Sequence, residues 1–175
     1  MRRLILLRHA KSDRSRPGER DHDRVLAKRG RESAPRMGAY MASHGLRPDL
    51  VICSTAARTR ETWELVAPAF DEPPPVVFDQ RVYANNPDVL LDIITGTKTD
   101  VHLLMLIGHN PSFQVLADLL SASGHGDARR QLREKFPTAG LAVIDFPVDA
   151  WERVHPRSGR LDRLVTPGSL EEAAD

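Results

Sequence analysis

The chain has 175 residues, with 25 Lys and Arg against 24 Asp and Glu for a formal net charge of +1, and 41% of its residues are apolar. A chain of this length buries one good core rather than two, so a single domain over residues 1–168 is expected, with residues 169–175 as a frayed C-terminal tail. The balanced charge excludes a global basic field for nucleic acid or anionic membrane, and no run of about 18 apolar residues could span a bilayer. The lone cysteine, Cys53, excludes an intrachain disulfide and a cysteine-based zinc site, and its place at the end of an apolar run marks it as inert packing. Only four apolar residues follow Arg2-Arg3, too few for a secretory leader, so a cytoplasmic protein is expected.

In chain order, Leu4 to Leu7 form an apolar run that reads as a strand buried on both faces. It stops at Arg8-His9-Ala10-Lys11-Ser12, where the alternatives are a surface charge with an edge histidine, or the start of chemistry at the carboxyl end of a strand. Asp13 to Arg24 is polar and turn-rich, an exposed loop expected to lie over a pocket. Ala27 to His44 is helical by composition and ends at Gly45. Pro35 either kinks this helix or, if the helix begins near Ser33, sits in its first turn.

Leu50 to Cys53 is a second strand, followed by a helix from about Arg58 to Phe70. The triple proline 73–75 ends that unit, Val76 to Phe78 is a short strand, and Pro87 opens a short helix stopped by Gly96. His102 to Ile107 is a further apolar strand running into Gly108-His109-Asn110-Pro111 and a helical pattern through Leu120. After it come a loop at 123–127, a short basic helix at 129–135, and strands at Leu141–Phe146 and Gly159–Val165. The last of these alternates with period two, as expected of an edge strand with one wet face.

Three strand endings therefore carry the polar residues. Arg8-His9, Ser54 to Thr62 with its arginines in the first helical turn, and His109-Asn110 before a helix together describe a phosphate-sized anion pocket. The alternation of strands and helices argues for a three-layer α/β/α domain with a mostly parallel sheet.

The segments Leu-Leu-Arg-His-Ala-Lys-Ser, Cys-Ser-Thr-Ala-Ala-Arg-Thr-Arg-Glu-Thr and Ile-Gly-His-Asn-Pro-Ser resemble the three motifs of the histidine phosphatase superfamily, whose short branch contains bacterial phosphohistidine phosphatases of the SixA type. The resemblance implies a phosphoglycerate mutase-like fold with at least one antiparallel strand. It also implies phosphohydrolysis through a phosphohistidine intermediate on His9, without metal or other cofactor. In that reading Arg8, Arg58 and His109 stabilise the transferring phosphoryl group. Arg58 rather than Arg60 is the match, since the spacing Ser-x-x-x-Arg-x-x-x-Thr falls on Ser54, Arg58 and Thr62. Arg24 and Ser12 match substrate-side positions, and Asn110 either touches substrate or caps the following helix.

Departures from the mutase branch narrow the substrate. Ala10 replaces a glycine, and Ser15 stands where an asparagine would. No Glu-Arg pair lies between Thr62 and Gly108 to act as general acid, and of the carboxylates there Asp79 stands at a plausible strand end. Phosphohistidine, with its weak P–N bond, needs less protonic help than a sugar phosphate. The expected partner is thus a phosphorylated protein, with a small phosphorylated metabolite as the alternative. A binding module that keeps the pocket without turnover is the reading from another class, and retention of Arg8, His9, Arg58 and His109 favours the enzyme.

The remaining clusters read as structural. His22 between Asp21 and Asp23 lacks a partner histidine at ligand spacing, Arg14 and Arg60 read as solvated, and His44, His125 and His155 read as surface residues. The arginines at 129, 130 and 133 form a docking face or a solvated helix.

Overall fold

A computed structural model describes residues 1–174. Seven strands form one sheet among these residues: β1 (Arg2–Arg8), β2 (Leu50–Cys53), β3 (Val76–Phe78), β4 (Leu103–Gly108), β5 (Ser121–Gly124), β6 (Leu141–Phe146) and β7 (Gly159–Val165), in the order β3-β2-β4-β1-β6-β7-β5. The run β3-β2-β4-β1 is parallel, β6 is antiparallel to both its neighbours, and β5 is parallel to β7. Only β6 therefore runs against the rest, which gives the expected mostly parallel α/β architecture.

The unbroken apolar runs of β1 and β4 follow from burial on both faces. Leu4, Leu6, Leu104 and Leu106 enter one core with Phe113, Leu116 and Trp151. Ile5, Leu7, Met105 and Ile107 enter the other with Met37, Met41 and Trp63. Helix α1 (Lys28–Ser43) covers the second face by burying Gly30, Ala34, Met37, Gly38 and Met41 at helical spacing. Helices α2 (Ala57–Val66), α3 (Gln80–Tyr83), α4 (Pro87–Thr95), α5 (Ser112–Leu120) and α6 (Ala128–Glu134) complete the connections.

Four expectations are resolved or corrected. Of the two alternatives at Pro35, helix α1 starts at Lys28 and holds the proline in its interior, which excludes the start near Ser33. Pro35 is exposed, so the carbonyl of Arg31, deprived of its amide donor, can bond water instead. The strand at 159–165 is not an edge, because Ser121–Gly124, read partly as loop, pairs along its outer side. Ser-Ala-Ser-Gly gives no apolar signal for such a strand. A short helix, α3, stands where none was expected.

The tail is the fourth correction. Residues Pro167–Ala174 form a helix, α7, so residue 168 lies within an element rather than at a boundary; Asp175 lies outside the described residues. The Ser169 backbone N–H donates to Thr166 Oγ1 while the Thr166 N–H donates to Ser169 Oγ, a reciprocal cap. Arg36 on α1 pairs with Glu171 at 2.9 Å.

Gly30 is where this packing bears on the polar segment after β1. A Cβ there would lie 2.2 Å from the carbonyl oxygen of Lys11, a backbone atom with no room to yield. Gly30→Ala should therefore destabilise the fold by about 1–3 kcal/mol and lower the thermal midpoint despite alanine's better helix propensity. An unchanged or raised midpoint in calorimetry would contradict that close approach.

Candidate active site

Register brings the three polar endings together. Arg8 pairs with Gly108 across β1 and β4, and Cys53 pairs with Ile107 across β2 and β4. The His9 N–H donates to Gly108 O at 3.0 Å, and the Ser54 N–H donates to Ile107 O at 2.9 Å, extending the ladders into the site. His9, Ser54 and His109 thus emerge side by side at the carboxyl ends of parallel strands.

The His9 ring is fixed by its neighbour's backbone. Its Nδ1 lies 2.7 Å from the carbonyl oxygen of Ala10. A carbonyl can only accept, so Nδ1 carries the proton and Nε2 keeps a free lone pair. Burial is the main cause that lowers this imidazole to about 4; the hydrogen bond to Ala10 opposes the shift, and the charges of Arg58, Arg8 and Arg24 add to it. His9 is thus a neutral, oriented nucleophile at neutral pH. His109 lies with its ring centroid 5.4 Å from that of His9, and its Nε2 is 2.8 Å from Ser54 Oγ. Burial, then His9 and Arg58, lower it to about 3.

The cations arrive from separate segments. The Arg8 Nη1 donates to Phe136 O at 2.9 Å, fixing the side chain on the segment that leads into β6. Burial and the charge of Arg58 both lower the Arg8 guanidinium. Arg58 is 7% exposed and donates to the backbone and carboxylate oxygens of Asp21 at 2.9 and 3.1 Å. Arg60, two positions on, is exposed, donates to Thr55 O and lies over the Phe78 ring at 4.2 Å. Thr62 explains the spacing of this motif: its hydroxyl accepts from the Ala10 N–H and donates to Arg58 O, joining the first motif to the second.

Arg24 donates to Asp13 O, to Asp21 Oδ1 at 3.1 Å and to Ser12 Oγ at 2.9 Å. Asn110 donates to Phe136 O and accepts from the Gln114 N–H, so its amide braces the first turn of α5 while facing the cavity. All seven residues expected from the sequence, Arg8, His9, Ser12, Arg24, Arg58, His109 and Asn110, line one cavity of about 590 Å³. The loop 13–24 does overhang it, through Asp21 and Arg24.

Sequence reasoning missed Asp21 and Tyr83 as members of this cavity. Tyr83 OH donates to Asp21 Oδ2 at 2.8 Å, and its ring meets His109 edge-on at 5.6 Å between centroids. Burial alone would raise the Asp21 carboxyl, but hydrogen bonds from Tyr83 and Arg24 with the charge of Arg58 outweigh it and hold it at about 2. Asp79, the carboxylate picked out between the second and third motifs, does not line the cavity. It caps α3 and is chelated by Arg81, whose hydrogen bonds lower it. Cys53 is buried and its thiol is pushed by burial to about 12, consistent with inert packing. Among the described residues no cluster of histidine, cysteine and carboxylate groups is suited to a metal.

The sequence pattern of the histidine phosphatase superfamily (branch 1) matches residues 4–82, the stretch that holds the first two motifs. A SixA protein of Agrobacterium tumefaciens is 32% identical, with a TM-score of 0.78 over 95% of this chain and 98% of its own. The chain belongs to the histidine phosphatase superfamily. A SixA protein of Nakamurella multipartitia superposes with a TM-score of 0.81 at 27% identity over 95% of this chain and 96% of its own. An uncharacterized protein of Mycobacterium leprae is 33% identical over 92% of this chain and 99% of its own length. Membership in the superfamily fits the paired histidines and convergent arginines found here.

Two outcomes test this geometry. At pH 5.5 an ordinary imidazole is about ten-to-one protonated, whereas His9 and His109 should remain neutral in 15N-histidine spectra. Because both folded values lie below the unfolded value near 6.5, the unfolded chain binds these protons first, and stability falls as pH drops from about 6.5 toward 4. Protonation of both rings at pH 5.5 in the folded protein would remove the buried, neutral pair. Secondly, Arg58→Lys should cut phosphatase kcat/KM by about a hundredfold, because lysine cannot replace a fork of donors, while Arg60→Lys changes little. Equal defects would mean that α2 is phased differently.

Proposed function

We propose that this chain is a metal-independent protein phosphohistidine phosphatase that works through phospho-His9. The observation that carries this reading is the pairing of an oriented, neutral His9 Nε2 with a cavity whose described carboxylate, Asp21, is held at about 2. A carboxyl that stays ionised cannot donate a proton to an alkoxide leaving group, so ordinary phosphoesters are poorly served. A phosphoramidate, whose leaving nitrogen can depart as a neutral amine or imidazole, does not require that acid. The likeness to the protein of Agrobacterium tumefaciens that carries the name of the SixA phosphohistidine phosphatases supports the same choice.

In the first half-reaction His9 Nε2 attacks phosphorus, and Arg8, Arg58 and His109 surround the equatorial oxygens. Phospho-His9 keeps its Nδ1 proton on Ala10 O, so it can leave as neutral imidazole when water attacks in the second half-reaction. The arginines supply the positive charge that a metal brings elsewhere. Arg24, Ser12 and Asn110 form the substrate-side rim. A phosphorylated protein with an exposed phosphohistidine is the expected partner, and among the described residues no helix is long and apolar enough to cross a membrane.

The test is rapid quench with labelled phosphohistidine peptide in the presence of a chelator. It should trap an acid-labile, base-stable phosphoprotein, and turnover should exceed that on 3-phosphoglycerate by at least tenfold. Label that persists in His9→Ala, activity restored only by an added metal, or preference for the phosphoester would overturn the proposal.

A further inference from the structure

The departing ring poses a question of charge. A phosphohistidine ring departs well only if its distal nitrogen carries a proton, since otherwise imidazolate must leave. Something in the cavity must favour that protonated form against the field of Arg8, Arg24 and Arg58.

Asp21 has the required chemistry and position. Its Oδ2 accepts from Arg58 and Tyr83, which fills that oxygen, but among the described residues Oδ1 accepts only from Arg24 and keeps one lone pair open. The side chain is 52% exposed, so this lone pair can be reached. Asp21 and Tyr83 also stand at the boundary between the cavity that holds His9 and a neighbouring one of about 560 Å³ lined by His22, Thr55 and Gln80. Of the residues lining the nucleophile's cavity, Asp21 is the carboxylate.

We propose that Asp21 is the counter-ion of the leaving group, its open Oδ1 lone pair receiving the distal ring N–H of the substrate's phosphoimidazolium. The inference rests on the phosphohistidine reading above and assigns to it a residue that selects the leaving group. The step balances. The P–N bond of the substrate breaks with its electron pair left on nitrogen, and the His9 Nε2 lone pair forms the new N–P bond. The distal proton stays on the substrate ring, which changes from cation to neutral imidazole. Meanwhile His9 changes from neutral to cationic, its Nδ1 proton held by Ala10 O. A positive charge thereby crosses from the ring beside Asp21 to the ring beside Ala10.

Asp21 also braces Arg58, so a simple loss of activity would not separate the two roles. The separation comes from matched substrates that share the phosphoryl group. Phosphohistidine peptide needs the counter-ion, whereas p-nitrophenyl phosphate releases an anion that needs none. Asp21→Asn keeps the size of the side chain and removes the charge. It should lower kcat/KM on phosphohistidine peptide by about ten- to a hundredfold, the scale of one charge-assisted hydrogen bond, and lower the ratio of the two substrates' kcat/KM by at least tenfold. Asp21→Glu should restore part of that ratio, and thermal melts would show both variants folded. An equal fall on both substrates would overturn the counter-ion role and leave the phosphohistidine reading standing, with Asp21 only a brace for Arg58. Wild-type protein that turns over p-nitrophenyl phosphate but not phosphohistidine would overturn the reading and the inference together.

Discussion

Parallel pairing of β1 with β4, and of β4 with β2, is the constraint on which the site depends. A register slip of one residue in either ladder would turn each strand's side chains to the opposite face and separate the polar endings. The slip is opposed by burial on both sides, because Leu4, Leu6, Leu104 and Leu106 serve one core while Ile5, Leu7, Met105 and Ile107 serve the other. Each such side chain contributes about 1.5–3 kcal/mol of burial, so several would have to be misplaced at once. The catalytic geometry is therefore enforced by apolar residues that never meet the substrate.

A second theme is the handling of like charge. Arg58 lies close enough to Arg8 to add to the effect of burial in lowering its affinity for a proton, and two imidazoles stand beside them. Such a cluster would repel itself in an empty pocket if every member were charged. Burial keeps the histidines neutral, and Asp21 offsets Arg58 and Arg24. The pocket is left with the net positive character that a phosphoryl group needs, without the full self-repulsion of its parts.

Much of this was legible in the sequence because it is local. An apolar run that stops abruptly at Arg8-His9, or at Gly108-His109, announces a buried strand and a polar ending within a few residues. The family resemblance singled out Arg58 through the spacing of Ser54, Arg58 and Thr62, and Thr62 bonding to both Ala10 and Arg58 shows the physical basis. What escaped depends on distant partners. Asp21 gains its place from Arg58, 37 positions on, and from Tyr83, 62 positions on, and a polar loop gives no periodicity to reveal either. The strand at Ser121–Gly124 exists because β7 offers it an edge, not because its side chains favour a sheet. Helix α7 depends on two reciprocal hydroxyl caps that composition alone did not single out.

The segment before β6 has a consequence for how the site can vary. The carbonyl of Phe136 is shared by Arg8 and Asn110, the Ala139 N–H donates to His9 O, and the Phe136 ring is sunk in the core. The phosphoryl-facing wall is thus cast in one piece with the hydrophobic interior. Opposite it, the wall formed by residues 13–23 rests on an exposed loop with few apolar anchors. Substitutions in that loop, apart from Asp21 with its bonds to Arg58 and Arg24, can remodel what is accepted beside the phosphorus while the nucleophile and its cations keep their places. A scaffold divided this way can diversify its clientele by exchanging one surface strap, at little cost to folding.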